Sequence, residues 1–426
     1  FAQLQRHVFL ERLNQPACCS ENREKQWIHM DSGKSWRRLS IALLIALVAN
    51  VGIWSVVVVL PSIEAEFNSS RGVAALPYTL TLLGFAIGNY FIGYLVDRFG
   101  VTKSLIFASL LISANFLFCA LSGSLFSIIF SHFFLGLGTA AGFGPLIADI
   151  SHWFSKKRGI AVAIIASGNY LSGVIWSPVI AYILTSGDWR EIYLILSLVI
   201  SLVVIPLSFY LRKKPSKIRS APNDIKNYLQ TPKIAISGRQ LQFFLGFAGV
   251  GCCIAMAMPQ VHIVAYCVGL GYGPTIGAEM LSLMLACGVV SRISFGICAD
   301  RLGGFFTLIL SSTFQMLSLF LFLPFNGMVS LYVVSAIFGL SQGGIVPSYT
   351  IVVREFLPAH EAGQRIGIVL MLTIFGMAIG GWMSGWIFDQ TGSYQIAFLN
   401  GILWNVFNLA ILVWLFMRLR KGYAAT

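Results

Sequence analysis

The sequence has very little charge for its length. Only 11% of its 426 residues are Asp, Glu, Lys or Arg, and the 16 acidic residues are outnumbered by 29 basic ones. Soluble globular domains carry about 25% charged residues. Uncharged apolar stretches of about 20 residues, the length that crosses a bilayer, recur along the chain. The sequence therefore predicts a membrane protein and excludes an ordinary water-soluble one.

Patterns typical of enzymes and metal sites are also lacking. We find no Ser/His/Asp set, no carboxylate pair at mid-depth in an apolar stretch, and no G-x-x-x-x-G-K-[ST] phosphate loop. The eight cysteines lack metal-ligand or disulfide spacing, and six lie in apolar stretches, as small packing residues do. The sequence thus predicts no enzyme, no metal and no cofactor.

Twelve apolar stretches predict the fold class, an all-α polytopic membrane protein with 12 transmembrane helices in two six-helix bundles. The bundles are expected at 34–211 and 240–421, joined by a basic cytosolic linker at 212–239 and followed by a tail at 422–426. Residues 1–33 are polar and lack the apolar core of a signal peptide. They are either a disordered extension or a spurious one that precedes a native start at Met30.

The basic residues predict the orientation. If the N-terminus is inside, the outer loops contain only Arg71 and Arg190, and the other basic loop residues face the cytosol. Cytosolic loops of membrane proteins are enriched in Lys and Arg. We therefore expect a multi-pass protein of the cell (cytoplasmic or inner) membrane with both termini cytosolic. The same distribution explains the net charge of +13 without a nucleic-acid partner.

The two halves contain the same motif. Gly93-Tyr-Leu-Val-Asp97-Arg98-Phe-Gly100 recurs as Gly296-Ile-Cys-Ala-Asp300-Arg301-Leu-Gly303, and the same offset relates Gly136 to Gly339. Parallel repeats of six helices build two-lobed transporters. Glycines permit tight turns, and the charged residues lie too near the cytosol to hold substrate. The residues predicted to form a gate are Gly93, Asp97, Arg98, Gly100, Asp149, Gly296, Asp300, Arg301, Gly303 and Glu355.

These paired turns resemble the major facilitator superfamily. Within it, the stretches GFGPLIADISHWFSKKRGIAVAIIASGNYLSG (142–173) and SRISFGICADRLGG (291–304) are similar to bacterial-type members of the monocarboxylate and oxalate/formate branch. The resemblance implies the major facilitator fold and alternating access. It also implies that Arg292 binds a carboxylate, and that Asp149 and Glu355 pair with Arg98 and Arg301.

The sequence departs from that branch at several positions. Gly288 stands where animal monocarboxylate carriers have an Asp, and Ile53-Trp54-Ser55 where they have a Lys. His132 replaces the usual Arg of the fourth helix, and 366–388 lacks the Lys that oxalate carriers have in their eleventh helix. The proton route is therefore expected to differ, and a single buried cation favours a monoanion over a dianion.

Arg292 is the strongest candidate for a binding residue. It has no acidic residue within ten positions before it or seven after it, and Asp300 lies roughly 12 Å further along the helix. An arginine near mid-membrane costs about 2.5–3.5 kcal/mol, so it usually faces a cavity. Its guanidinium can grip a carboxylate through two parallel hydrogen bonds. The alternatives are snorkelling to the inner surface or bracing Asp300.

Other polar residues in the apolar spans have two interpretations each. One group is expected either to line a cavity and bind substrate or to form hydrogen bonds between packed helices. Its members are Asn50, Asn169, Tyr170 and Gln342. Four others are candidates for proton coupling: Asp149, Glu279, His132 and His262. Their alternative roles are a gate carboxylate for Asp149, an interfacial carboxylate for Glu279, and packing for the two histidines.

The predicted function is secondary active transport of a small organic monoanion, a monocarboxylate, by alternating access with proton coupling. The expected partners are that anion, the proton and the lipid bilayer, and the protein is expected to be a monomer. An organic anion exchanger without net proton movement is the alternative. Drug or metabolite efflux is disfavoured because SGNYLSGVIWSPVI lacks the G-x-x-x-G-P-x-x-G-G pattern of efflux carriers.

Overall fold

The computed structural model describes residues 31–154, 157–212, 236–357 and 362–424. Within these ranges every regular element is helical, and twelve helical spans are long and apolar enough to cross a membrane. The predicted all-α polytopic class is confirmed. Most of the predicted linker at 212–239 and nearly all of the 1–33 extension lie outside the described residues.

We number the spans α1 to α12 and divide the three broken spans into parts a and b. The N-terminal half comprises α1a Gly33–Ala49, α1b Val51–Glu66, α2 Leu76–Phe99, α3 Val101–Leu121, α4a Leu125–Thr139, α4b Gly144–Ser151, α5 Arg158–Leu184 and α6 Trp189–Tyr210. The C-terminal half comprises α7 Gly238–Gly269, α8 Pro274–Leu302, α9 Gly304–Leu321, α10a Met328–Gln342, α10b Ile345–Phe356, α11 Ala362–Thr391 and α12 Tyr394–Ala424.

Two of the three broken spans, α4 and α10, occupy related places in the two halves. A 3₁₀ turn, Ala140–Gly142, separates α4a from α4b, and α10 breaks at Gly343 and Gly344. These breaks are separated by the same offset as the sequence repeats. Span α1 breaks at Asn50, whose side-chain amide donates to the carbonyls of Ala46 and Gly142. Broken helices at mid-depth leave backbone groups for binding sites in transporters.

Matching glycines bring two helices of each half into close contact. A Cβ on Gly136 would lie 1.9 Å from the carbonyl oxygen of Thr81, and one on Gly339 would lie 2.1 Å from that of Met284. Only glycine lets α4 approach α2, and α10 approach α8, this closely. The repeat visible in the sequence is therefore a repeat of helix packing, as small residues at membrane helix interfaces allow.

The two halves touch at one end of the molecule and separate at the other. We name the ends by residue: the Arg71 end contains the short helix Arg71–Ala74, and the Arg98 end contains both charged turns. At the Arg71 end, the backbone N–H groups of Arg71 and Gly72 donate to the Asp389 carboxylate at 2.8 and 2.7 Å. These bonds join the halves.

The Arg98 end is open. Asp97, Arg98, Asp300 and Arg301 are exposed, and in the described part of the chain none of them forms an ion pair. A Cβ on Gly93 or Gly296 would meet no atom within 4 Å. The cleft between the halves therefore opens toward this end.

Candidate functional site

Arg292 lies at the interface between the halves and not against lipid. From α8 its Nη1 donates to the carbonyl oxygen of Ala166 on α5 at 2.5 Å. The side chain is half-buried, and its Nε is buried without a hydrogen-bond partner. A buried guanidinium N–H without a partner is costly, so the site favours an acceptor that completes its hydrogen bonds. Arg292 does not brace Asp300, which is exposed.

The ring of Tyr170 forms one wall of this site. The Arg292 guanidinium carbon lies 4.0 Å from its ring centroid, a cation–π contact between the halves. A Cβ on Gly288 would lie 2.8 Å from the Tyr170 ring, so the ring occupies the space that a side chain at 288 would need. Glycine at position 288 thus admits the aromatic ring beside Arg292.

Asn169 and Asn50 extend the cluster into the N-terminal half. The Asn169 Nδ2 donates to Asn50 Oδ1 at 3.4 Å, and Trp54 Nε1 donates to the Asn169 carbonyl at 2.9 Å. Trp54 also packs edge-on against Tyr170 at 6.4 Å between ring centroids. The Asn50 amide is already bonded to helix carbonyls, as in a packing role, whereas Tyr170 contacts Arg292 directly.

Gln342 lies one residue before the contact of α10 with Arg292 in the C-terminal half. It ends α10a, and the next residue, Gly343, packs so close to Arg292 that a Cβ would lie 3.0 Å from its backbone nitrogen. Gln342 Oε1 accepts from Gln260 Nε2 at 2.7 Å, while Gln342 Nε2 and Gln260 Oε1 are buried without partners. One donor and one acceptor thus remain unused at the break in α10.

The predicted gate carboxylates have partners within their own halves. Asp149 binds Arg38 through two hydrogen bonds of 2.8 Å, and both side chains are buried. The resemblance had implied Arg98 as its partner, but Arg98 is exposed and bonds to Tyr94 on its own helix. Asp149 therefore ties α1 to α4 in this conformation.

Glu355 also differs from its implied pairing with Arg301. Its Oε1 accepts from the backbone N–H of Gly304 at 2.9 Å, at the first turn of α9. A carboxylate is favourable there because helix N-termini carry unpaired N–H groups and a partial positive charge. Glu355 thus links α10b to α9 within the C-terminal half.

The four proton-coupling candidates occupy separate places. Asp149 is held in the Arg38 pair. Glu279 is exposed and accepts a short hydrogen bond from Tyr332 on α10, as an interfacial carboxyl does. His132 is buried between Ile128 O and Tyr193 Oη, both in the N-terminal half. His262 is buried between Gly381 O and Tyr394 Oη, close to the Arg71 end.

Several residues of these networks were not predicted from the sequence. Trp54, Gln260 and Arg38 gave no signal because their partners lie on other helices. Arg71 is an exception to the positive-inside pattern, which could have identified it, since a cation on the sparsely charged side needs a reason. Among the described residues, no three His, Cys, Asp or Glu side chains come together as a metal site would require.

Comparisons with known proteins place these features in a family. A family model described as Major Facilitator Superfamily matches residues 42–368. Rat Monocarboxylate transporter 13 is 25% identical over 282 residues, which cover 64% of this chain and 65% of that relative, just under two thirds of its length. The Agnestins efflux protein AgnL12 of Paecilomyces divaricatus is 23% identical over 75% of this chain and 73% of its own.

A solved structure supports the fold. A bacterial homologue of the human lysosomal transporter Spinster, in an inward-facing and unoccupied conformation, superposes with a TM-score of 0.65 at 12% identity. The match covers 93% of this chain and 97% of that one. With the family match over most of the chain and twelve spans in two repeated halves, this chain belongs to the major facilitator superfamily, a family of membrane transporters and not of enzymes.

Proposed function

We propose that the protein carries a small organic monoanion of the monocarboxylate class by alternating access, coupled to protons. The single observation that carries this proposal is Arg292, whose guanidinium sits between the halves with its Nε lacking a partner. A permanently charged group at this depth favours an anion. The monocarboxylate transporters among the chain's relatives bear names consistent with that cargo.

The geometry suggests how binding engages both halves. Arg292 belongs to the C-terminal half, and its neighbours Ala166 and Tyr170 to the N-terminal half. A carboxylate that takes the place of the Ala166 carbonyl offers the guanidinium two acceptor atoms instead of one. Because this exchange changes a contact between the halves, binding is linked to their relative movement.

The charged turns at the Arg98 end form the gate of the opposite state in this proposal. Asp97 and Arg98, with Asp300 and Arg301, are separated here and come together when the cleft closes. The distribution of basic residues supports an orientation in the cell membrane with both termini and the Arg98 end toward the cytosol. The Arg71 end then faces the outside.

Reconstituted protein provides the test. Liposomes preloaded with unlabelled lactate, pyruvate or a related acid should take up the labelled acid by exchange. An Arg292→Lys variant should lose about tenfold or more of that rate, because an ammonium lacks the planar pair of donors. The matched control is Arg418→Lys, an exposed arginine stacked on Trp414 of α12, which should transport at the normal rate.

The outcomes separate the candidate functions. Full activity of Arg292→Lys removes this residue from the binding site. Protein-mediated uptake that ignores an inward proton gradient, after subtraction of protein-free liposomes, favours anion exchange over proton coupling. Transport of uncharged compounds instead of acids supports efflux, the function named for the AgnL12 relative.

A further inference from the structure

The Arg71 end contains a chain of hydrogen bonds that crosses from one half to the other. Arg71 is held in the N-terminal half by Glu64, which accepts from its Nε at 2.8 Å and its Nη2 at 3.0 Å. The Arg71 Nη1 donates across the interface to Tyr394 Oη at 2.9 Å. Tyr394 Oη lies 3.2 Å from His262 Nδ1, and His262 Nε2 lies 2.7 Å from Gly381 O.

The donor and acceptor of each hydrogen bond can be assigned by starting from Gly381 at one end of this network and Arg71 at the other. A carbonyl only accepts, so Nε2 of His262 carries a hydrogen and donates to Gly381. Arginine only donates, so the Tyr394 oxygen accepts from Arg71 and its own hydrogen is free for Nδ1. All bonds are satisfied only when Nδ1 is an acceptor. The closed Arg71 end therefore fits a neutral His262.

A proton on His262 Nδ1 disrupts this arrangement of hydrogen-bond donors and acceptors. Arg71 still donates to the Tyr394 oxygen, and His262 Nδ1 becomes a second donor, so the tyrosine hydrogen loses its acceptor. Protonation also places a second positive charge one hydroxyl away from the Arg71 guanidinium, in a site where His262 is fully buried. Like charges repel strongly when little water screens them.

The groups around His262 show that protonation mainly disturbs the hydrogen bonds from Arg71 through Tyr394 to His262. Tyr394 of α12 bonds to His262, and Arg71 and Asp389 of α11 interact with it electrostatically. Tyr78 of α2 packs beside Gly381, Tyr266 of α7 packs on Tyr394, and Glu64 lies beyond Arg71. Glu64 is committed to Arg71 in two hydrogen bonds, and Asp389 to two backbone N–H groups.

We infer that His262 is a proton-operated switch of the Arg71 end: its protonation releases Arg71 from Tyr394 and opens the cleft on that side. The proton must leave before this end closes again, so His262 sets which side is open and is not the carrier of a transported proton. The inference rests on the alternating-access part of the proposed function and not on the cargo.

Distance measurements test the switch without any substrate. Spin labels at A65C and Q395C, exposed sites on α1b and α12, report the gap between the halves in an otherwise cysteine-free protein. Between roughly pH 8 and pH 5.5, which brackets histidine titration, the ratio of long to short distances should rise about tenfold or more. No change in the wild-type distances over this range overturns the inference.

Two histidine variants provide the matched comparison. In His262→Gln, the amide can donate to Gly381 and accept from Tyr394 but cannot gain a proton, so the distances should keep their high-pH values throughout. His132→Gln alters a second buried histidine, also set between a carbonyl and a tyrosine but wholly within one half, and should keep the wild-type response. A normal response in His262→Gln, or loss in both variants, overturns the inference.

A third variant keeps the inference testable if His262→Gln does not fold. Tyr394→Phe keeps the ring packing on Phe388 but removes the hydroxyl that joins Arg71 to His262. Its Arg71 end should be more open at high pH, with no further opening on acidification. A wild-type pH response in this variant overturns the switch. Because no acid is added, a failed cargo proposal leaves this result unaffected.

Discussion

At the residue scale, the Arg292 side chain belongs to one half and contacts the other. Its donor Nη1 reaches a backbone carbonyl of the other half, and its charged plane lies over the Tyr170 ring. The sequence predicted a lone buried cation and proposed several polar neighbours. Of these, the structure places Tyr170 in direct contact and joins Asn169 to Asn50. Gln342 bonds to Gln260, and it is the next residue, Gly343, that packs against the backbone of Arg292.

The Tyr170 ring is expected to set the affinity of the site. Tyr170→Leu removes a cation–π contact that contributes about 0.5–2 kcal/mol, so substrate binding should weaken about twofold to thirtyfold as Arg292 loses its fixed position. Tyr170→Phe retains the ring and should bind normally. Equilibrium binding of the acid proposed as substrate is the measurement, and equal affinity of the Leu and Phe variants would contradict this role.

The pair formed by Asp149 and Arg38 illustrates the limit of a family resemblance at this scale. The family pattern located an important carboxylate, but not its partner. Arg38 and Asp149 are far apart in sequence and meet only because α1a packs beside α4b. A bidentate contact between buried groups outcompetes a contact with the exposed Arg98 of the same half, since exposed charges interact little in water.

At the element scale, the two halves are built by the same contact. Gly136 and Gly339 each face the backbone of the second helix of their own half, with no room for a methyl group. The matching glycines were visible as a sequence repeat. Their purpose became clear only from the packing of α4 on α2 and of α10 on α8.

Substitution at this contact should destabilise the fold. In Gly136→Ala, the Cβ overlaps the Thr81 carbonyl, and overpacking of this kind costs about 1–3 kcal/mol or more. The melting temperature of the purified protein in detergent should fall. Gly367→Ala is the control, since a Cβ there on α11 meets nothing within 4 Å. Equal melting temperatures for the two variants would show that α4 can move away from α2 at no cost.

At the scale of the whole molecule, hydrogen bonds join the halves at the Arg71 end and also between α2 and α11 and between α5 and α8, where Thr79 donates to Ala378, Ser282 to Val174 and Arg292 to Ala166. Asp389 accepts two backbone N–H bonds from the short helix, and Arg71 reaches Tyr394. The Arg98 end lacks such bonds among the described residues and is open. An alternating transporter needs contacts that form and break with modest energy, and a small set of hydrogen bonds meets this need.

Weakening this clamp should shift the whole molecule toward opening at the Arg71 end. Asp389→Asn removes the charge from hydrogen bonds that contribute about 1–3 kcal/mol, so the open-to-closed ratio should rise about fivefold to hundredfold. The A65C/Q395C spin-label pair measures it. Asp188→Asn is the control, because Asp188 lies 3.8 Å from Arg190 within the N-terminal half. A similar opening in both variants would indicate a general charge effect.

The sequence by itself determined the number of spans, the motif repeated in the two halves and the position of an arginine inside an apolar span. Each depends on composition and spacing along one helix, where local hydrophobicity decides. Only the tertiary structure decided the partners: Arg38 for Asp149, Tyr170 for Arg292, and Tyr394 between Arg71 and His262. These pairs lie on different helices, and their distances follow from how twelve spans pack together, which no local pattern encodes.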